Sequence, residues 1–479
     1  MHSDVLIIGA GSAGCVVAER LSADERCAIT VVEAGPAPSD DGIRAMIFDG
    51  SVLPVGRASP VVQRFDTVLT EQPRRVSHVV RGAVVGGSGA VNGGYFCRGL
   101  PRDFDGWDLP GWQWHDVLGH FRDIETDLDF GGPAHGRDGP IPVQRIREMD
   151  SGTTEFVSRV GDAGFEWIAD LNGANDSGST LIGVGALPLN IAEGVRVGPG
   201  SAFLEGALSR PNMTLLTETS VWRLRVSAGR VTGADARGPD GPVSLSADRV
   251  VLCAGAIATA HILMLSGIGG ESVLRDAGIP VTVVAPVGMQ CVDHPEWVMP
   301  TTWESSPGRP ALEVILRAER DIEIRPYTGG FVAMVGDGTG GHPDWPHVGV
   351  ALMQPRSRAR VTVVSTDPRV RPRIEHRYDS EPDDIAALRE GSDLARELCP
   401  TAQPPAEPVW STSQHLCASA PMGIDSDERA VLDPQCRVRG IDGLWVIDGA
   451  ALPAITSRGP HATIVMLAHR AAEFVVAGC

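Results

Sequence analysis

The chain has no lysine. All 41 of its basic residues are arginine in a total of 479 residues, which excludes Schiff-base chemistry and any catalytic lysine. It also lacks a Cys-x-x-Cys pair. The nine cysteines are scattered and odd in number, so no disulfide framework or zinc spacing is visible, and reduced thiols in a cytoplasmic protein are expected. Neither a metal-ligand cluster nor an internal repeat can be read, and no metal is expected. Positive charge is in deficit. A formal net charge of −19 argues against nucleic acid and anionic membrane surfaces as partners. The first apolar strand begins at Val5, which leaves no room for a signal peptide ahead of it. The run Val250 to Gly270 approaches transmembrane length. Gly255, His261 and Ser266-Gly267 interrupt it, so a strand followed by a buried helix is expected and no transmembrane segment.

What is present begins at once. Val5-Leu6-Ile7-Ile8 reads as a buried strand, Gly9-Ala10-Gly11-Ser12-Ala13-Gly14 as a turn, Cys15 to Leu21 as a helix, and Ile29 to Val32 as a second strand ending at Glu33 and Ala34. This is a βαβ unit with a dinucleotide fingerprint. Gly9 makes the tight turn, Gly11 lets a pyrophosphate approach the backbone, and Gly14 lets helix and strand pack closely. The helix N-terminus supplies free N–H groups and a positive dipole end. Glu33 stands nineteen residues past Gly14, where a carboxylate accepts from a ribose hydroxyl and repels a 2′-phosphate. The alternative is an ordinary Gly-rich strand–helix turn.

Residues 36–75 are rich in Pro, Gly and Asp with little periodicity and read as a long irregular excursion. Arg81-Gly82-Ala83-Val84-Val85-Gly86-Gly87-Ser88-Gly89-Ala90-Val91-Asn92-Gly93-Gly94 follows. It reads as a strand end, a turn and a new helix, and hence as a second loop contacting an anion; a flexible linker is the alternative. Arg249 to Ala254 is a strand ending at Gly255, Leu215 to Arg225 a further strand, and Leu444 to Ile447 a strand ending in Asp448-Gly449. Ligands bind at such carboxyl edges in open α/β sheets. Asp448 is therefore placed to bind ribose or ribityl hydroxyls, the alternative being a helix N-cap.

The second glycine loop resembles the first signature of the glucose–methanol–choline (GMC) flavoprotein oxidoreductases, which runs Arg-Gly-x-Val-x-Gly-Gly-Ser-x-x-x-Asn-Gly. Asp103-Phe104-Asp105-Gly106-Trp107, Gly111-Trp112-x-Trp114 and His135 to Pro140 resemble the same family. So do Gly255 to Gly269 (departing at Ala260), Pro355 to Pro368, and Gly443 to Ala450. The resemblance spans the whole chain. It implies an α/β fold: a Rossmann-like FAD-binding domain from residues 1–140, 196–290 and 412–479, and an antiparallel-sheet substrate domain from 141–195 and 291–411. In that roof the strands Asp321 to Arg325, Val348 to Met353 and Val361 to Ser365 would form one sheet, with a helix from Asp383 to Leu398. Pro400 to Pro408 would lead back. FAD would be held by Gly9, Gly11, Ser12, Ala13, Gly14, Glu33, Ala34, Arg81, Gly86, Gly87, Ser88, Asn92, Gly93, Gly94, the backbone of Val221, Ala254, Gly255, Asp448, Gly449, Pro460 and His461.

Among thirteen histidines, two stand in unusual company. His415 precedes Ala418-Ser419 with the spacing that the family's active-site base keeps to a Gly-Thr, although both of those residues differ here. His461 precedes the last helix, where the family carries a second active-site His or Asn; a backbone-only role is the alternative. The resemblance thus implies an alcohol donor that loses its hydroxyl proton to a neutral imidazole and its hydride to flavin N5, while a second polar group steadies the alkoxide. The segment Arg458 to Thr463 and the absence of lysine most resemble actinobacterial members associated with mycofactocin. Those are thought to reoxidise mycofactocinol and pass electrons toward the respiratory chain, at the inner face of the membrane. The alternatives are a dehydrogenase or oxidase of choline-like or simple primary alcohols and, from another class, a hydroxynitrile lyase.

Some choline-oxidising relatives attach FAD through a histidine just before the signature asparagine. Val91 occupies that position, and Cys97 lies five residues beyond Asn92, so FAD is expected to be held non-covalently. Acid precipitation should release all of the yellow colour, and colour retained in the pellet would contradict this.

Overall fold

The computed structural model describes residues 2–173, 182–304, 306–330, 346–399 and 409–476. Three sheets position the site. The first is a 7-stranded sheet. Met213–Leu216, Ile29–Val32, His2–Ile8 and Gly241–Leu252 run parallel, and Leu444–Val446 joins the last of these in parallel. Arg230–Gly238 and Ser220–Ser227 continue it antiparallel. Its central strands are near-continuous apolar runs because both faces are covered, the usual state of a parallel sheet. The strand His2–Ile8 ends at Gly9, whose φ of 102° only glycine tolerates cheaply. The helix Ser12–Ser22 leaves from there.

The second sheet has six strands and is antiparallel, in the order Val409–Thr412, Pro295–Pro300, His347–Leu352, Ile322–Pro326, Val314–Arg317, Gly183–Ala186. One face packs under the helix Pro382–Leu398 through Trp297, Met299, Ile322 and Ile324. A side chain at Gly391 would meet Ile322 and Val350 at 2.8 Å, so the helix lies tight on the sheet. Because strands alternate faces, Glu296, Glu323 and Arg325 are turned to the other side.

The third sheet, of four strands, departs from expectation. It contains Val62–Glu71 paired with Arg74–Gly82, and Arg373–Glu375 paired with both Val62–Glu71 and Arg360–Thr362. The stretch 36–75 is therefore not irregular: it holds the helix Asp41–Phe48, capped by Asp40 accepting from the Ile43 N–H at 3.0 Å, and a long strand. The strand near Val361 belongs to this sheet and not to the six-stranded roof: it pairs with Arg373–Glu375, which in turn pairs with Val62–Glu71 far upstream in the chain. Leu215 to Arg225 is two strands at opposite ends of the first sheet, separated by a turn in which Glu218 has a φ of 51°. The second glycine loop makes a single 3₁₀ turn, Gly87–Ala90, instead of opening a helix. Val250 to Gly270 divides as expected into a strand end and the helix Gly255–Leu265. No helix among the described residues is long and apolar enough to cross a membrane. Pro400 to Pro408 lies outside the described residues.

The fingerprint glycines separate into two kinds. A side chain at Gly14 would collide with the Gly9 carbonyl, and one at Gly9 would stand 2.5 Å from the Cys253 carbonyl oxygen. At Gly11 the nearest neighbours are 3.8 and 3.9 Å away, so an added Cβ would be in ordinary contact and clash with nothing in the chain, while standing at the cavity wall. Gly14→Val should therefore abolish soluble, folded protein. Gly11→Val should give a protein with wild-type circular dichroism that loses its flavin on gel filtration. Full flavin occupancy in Gly11→Val would refute the distinction.

Candidate active site

A cavity of about 730 Å³ lies between the carboxyl edge of the seven-stranded sheet and the charged face of the six-stranded one. His415 lines it, as does every residue expected to touch the cofactor except Gly14, Gly86 and Gly94. Those three act one layer back. Gly14 packs helix on strand, the Gly86 N–H donates to the Ala10 carbonyl at 2.8 Å and joins the two glycine loops, and Gly94 packs on Ile191. The Gly87 and Gly11 backbones are in close approach, since a side chain on Gly87 would meet the Gly11 Cα at 2.6 Å. Glu33 is buried and accepts from the Ala10 and Gly35 N–H groups, each at 2.9 Å. Burial pushes its pKa up, those two hydrogen bonds opposing. Asp448 performs the capping role: it accepts from Ala450 N–H at 2.7 Å, and its second oxygen accepts from Gly255 N–H at 2.8 Å and Thr259 Oγ1 at 2.6 Å. It fastens two strand ends together and still lines the cavity.

The two histidines carry complementary protons, and their partners dictate this. Asn92 Oδ1 accepts from the Gly94 N–H at 3.0 Å, so its amide nitrogen faces His461 Nδ1 at 3.1 Å and donates to it. The neutral ring then holds its proton on Nε2, which is buried without an acceptor among the described residues. His294 Nε2 stands 3.0 Å from the Thr456 carbonyl and must donate, leaving His294 Nδ1 as an acceptor. His415 Nδ1, 2.8 Å away, donates to it. His415 Nε2 is therefore bare, and no described residue donates to it. Burial keeps both rings neutral, pushing His294 and His461 down to about 4 and His415 well below its usual range.

Behind this pair stands Asp293, buried to 2% exposure. Its Oδ1 accepts from the His294 and His415 backbone N–H groups, both at 2.8 Å. Its Oδ2 accepts from Thr412 Oγ1 at 2.6 Å and from His376 Nε2 and Tyr378 OH at 3.0 Å each. Burial alone would raise its pKa. The His376 contact and the other hydrogen bonds overcome this and hold it well below the ordinary value.

Sequence reasoning missed Asp293, His294, Glu296, Arg325 and the tyrosines. Two signals were available. Asp293-His294-Pro295-Glu296 concentrates three ionisable groups at the start of an apolar strand. All three tyrosines of the chain, Tyr95, Tyr327 and Tyr378, donate to buried carboxylates of this region. The structure also assembles two ligand-type clusters that linear spacing hides. In Glu125–Asp127–His135 the ring, pushed up to about 10 by Asp127, Asp170 and Glu125 against burial, is an imidazolium held by carboxylates. In His120–Asp123–His469, His120 Nδ1 and His469 Nδ1 are 3.0 Å apart and Arg470 donates to His120 Nε2 at 3.2 Å, so both rings are already engaged.

Family profiles described as GMC oxidoreductase match residues 3–296 and residues 355–468. The chain is a GMC oxidoreductase. It is 39% identical to an uncharacterised GMC-type oxidoreductase in the thcA 5′ region of Rhodococcus erythropolis, covering 99% of this chain and 98% of that one. It is 30% identical to an oxygen-dependent choline dehydrogenase of Sinorhizobium fredii, covering 99% and 96%. Among solved structures, pyridoxine 4-oxidase from Mesorbium loti superposes with a TM-score of 0.88 at 26% identity, covering 98% of each chain. A formate oxidase superposes equally well, with a TM-score of 0.88, but at 22% identity that shows the fold alone. GMC oxidoreductases bind FAD and act on CH–OH donors. The cavity fits that cofactor: Gly11 leaves backbone open to a pyrophosphate, and the His461 Nε2–H is a buried donor awaiting an acceptor. The eight described cysteines are buried and form no disulfide among themselves, and burial pushes the Cys97 thiol up to about 11, which makes it a poor nucleophile for covalent attachment.

The five hydrogen bonds on Asp293 yield a prediction. In Asp293→Asn an NH₂ faces N–H and O–H donors, which should cost about 2–4 kcal/mol in urea unfolding of the holoenzyme. Because the native pKa is depressed, this contribution is complete above about pH 4 and is lost only as pH falls below the unfolded value. An unchanged unfolding midpoint at pH 7 would refute the role.

Proposed function

We propose that the chain oxidises an alcohol CH–OH group with His415 as base and His461 as the donor that steadies the developing alkoxide. The observation that carries this reading is the opposite protonation of the two Nε2 atoms, bare on His415 and protonated on His461. FAD, when bound, supplies the hydride acceptor. It would be held by segments 1–140, 196–290 and 412–479, beneath a roof from 141–195 and 291–411.

The residues divide the work as follows. His415 Nε2 accepts the hydroxyl proton while its Nδ1 keeps its hydrogen bond to His294. The imidazolium that results lies near the Asp293 carboxylate, which offsets its charge. His461 donates to the alkoxide oxygen, and Asn92 holds its tautomer. Each donor or acceptor is in place before the reaction, so little reorganisation is needed. Within this class we read the donor as mycofactocinol, with electrons passed toward respiration. The resemblance of Arg458 to Thr463 to mycofactocin-associated members supports that finer reading.

His415→Ala should retain FAD and fold but slow anaerobic flavin reduction by about 10²–10⁴-fold in stopped flow. The reduction rate should fall more than affinity, since the lost interaction belongs to the transition state, and raising pH should rescue it in part. A near-wild-type rate would move the base elsewhere. Flavin that no alcohol bleaches in the wild type would favour the lyase.

A further inference from the structure

The charged face of the six-stranded sheet contributes Glu296 and Arg325 to the cavity wall, beside Tyr95, Tyr327 and Ser413. Both charges are almost fully buried, at 2% and 3% exposure. Arg325 Nη1 donates to Glu296 Oε2 at 3.0 Å and to Ser413 Oγ at 2.8 Å, and its Nε donates to Glu323 Oε1 at 2.7 Å. Glu296 also accepts from Tyr327 OH at 2.9 Å and Ser413 Oγ at 2.8 Å. Behind them Glu323 accepts from Tyr95 OH at 3.0 Å and lies 3.7 Å from Arg458.

Two carboxylates thus face two guanidiniums, and the wall is neutral. Its one carboxylate at the cavity surface has both oxygens occupied by directed donors. A quaternary ammonium carries no N–H to replace them. To be held by Glu296 it would have to displace Arg325, leaving that guanidinium with Glu323 as its remaining ion-pair partner in a dry site, and otherwise it would be desolvated with no compensating charge. An uncharged donor meets no such penalty. The apolar Ala311 and Leu312 and the phenols of Tyr95 and Tyr327 offer it contact surface.

We propose that the donor is an uncharged alcohol and that Arg325, by neutralising Glu296, is the specificity-determining residue that excludes choline-type cations. This rests on the reading of the cavity as an alcohol site. It separates the chain from the choline dehydrogenases with which it shares 30% identity.

The test uses the FAD-loaded wild-type enzyme under anaerobic conditions with choline and 3,3-dimethylbutan-1-ol, which has the same shape with carbon in place of nitrogen. Binding is read from the perturbation of the flavin spectrum and reduction from its bleaching. The neutral alcohol should bind at least about 50-fold more tightly than choline. Equal or tighter binding of choline would overturn the proposal. Binding decides it whether or not reduction follows, so a failure of alcohol oxidation is seen separately as neutral-alcohol binding without bleaching. Arg325→Met removes the charge and leaves Glu296 and Glu323 in excess, and should shift the binding ratio toward choline by about tenfold or more. An unshifted ratio in a flavin-loaded Arg325→Met would remove Arg325 from the role. If that variant fails to hold FAD, the wild-type pair still decides the donor class, and Glu296→Gln, which leaves the wall net positive, should weaken choline further; tighter choline binding there would count against the charge argument.

Discussion

A single carboxylate without access to water holds the site together. Asp293 stands just ahead of the roof strand Pro295–Pro300, and its five donors are gathered from separate parts of the molecule. Thr412 closes the roof's edge strand, His376 and Tyr378 follow the last strand of the four-stranded sheet, and the backbone N–H of His415 belongs to a loop that lines the cavity. Placing an ion there carries a desolvation cost of several kcal/mol that only complete hydrogen bonding offsets. Removing any one partner therefore disturbs the others, and the orientation of His415 follows from packing far from its own loop.

The same principle governs the roof. A sheet that buries Trp297, Ile322 and Ile324 on one face would ordinarily turn a solvated face outward. Here that face closes over the cavity, and its charges are balanced among themselves. Buried ion pairs of this kind add little stability but fix a specific arrangement of donors and acceptors. In this chain the arrangement leaves the Nε2 atoms of His415 and His461 open for hydrogen bonding at the cavity.

Legibility in the sequence followed the range of the interactions. The βαβ unit and the Gly255 and Asp448 strand ends were readable because turn chemistry and apolar runs are local signals, whereas the loops bearing His415 and His461 were picked out by their resemblance to the family's motifs. The strand Val62–Glu71 was not, since its alternation is weak and one of its two partners, Arg373–Glu375, is remote in the chain. Asp40, three residues ahead of Ile43, was a local cap signal for the helix that follows and could have been weighed more heavily. His294 escaped notice because its meaning lies in a partner 121 residues away. Asp448 was legible as a strand-end carboxylate, but its dual use as cap and clamp depends on Thr259, which sits on a different helix.

The replacement of lysine by arginine throughout acquires a consequence in this setting. Arg98, Arg196, Arg317 and Arg458 are all among the largest fully buried side chains. Arg196 donates through its two Nη atoms to the backbone carbonyls of Ile47, Ala90 and Val52. A guanidinium keeps its proton throughout the physiological pH range. The positive charges of the interior are therefore constants, and an amine that could lose its proton on burial is nowhere among them. In the proposed reaction, proton exchange with the substrate therefore falls to the imidazoles, a handful of rings whose tautomers the surrounding chain has already chosen.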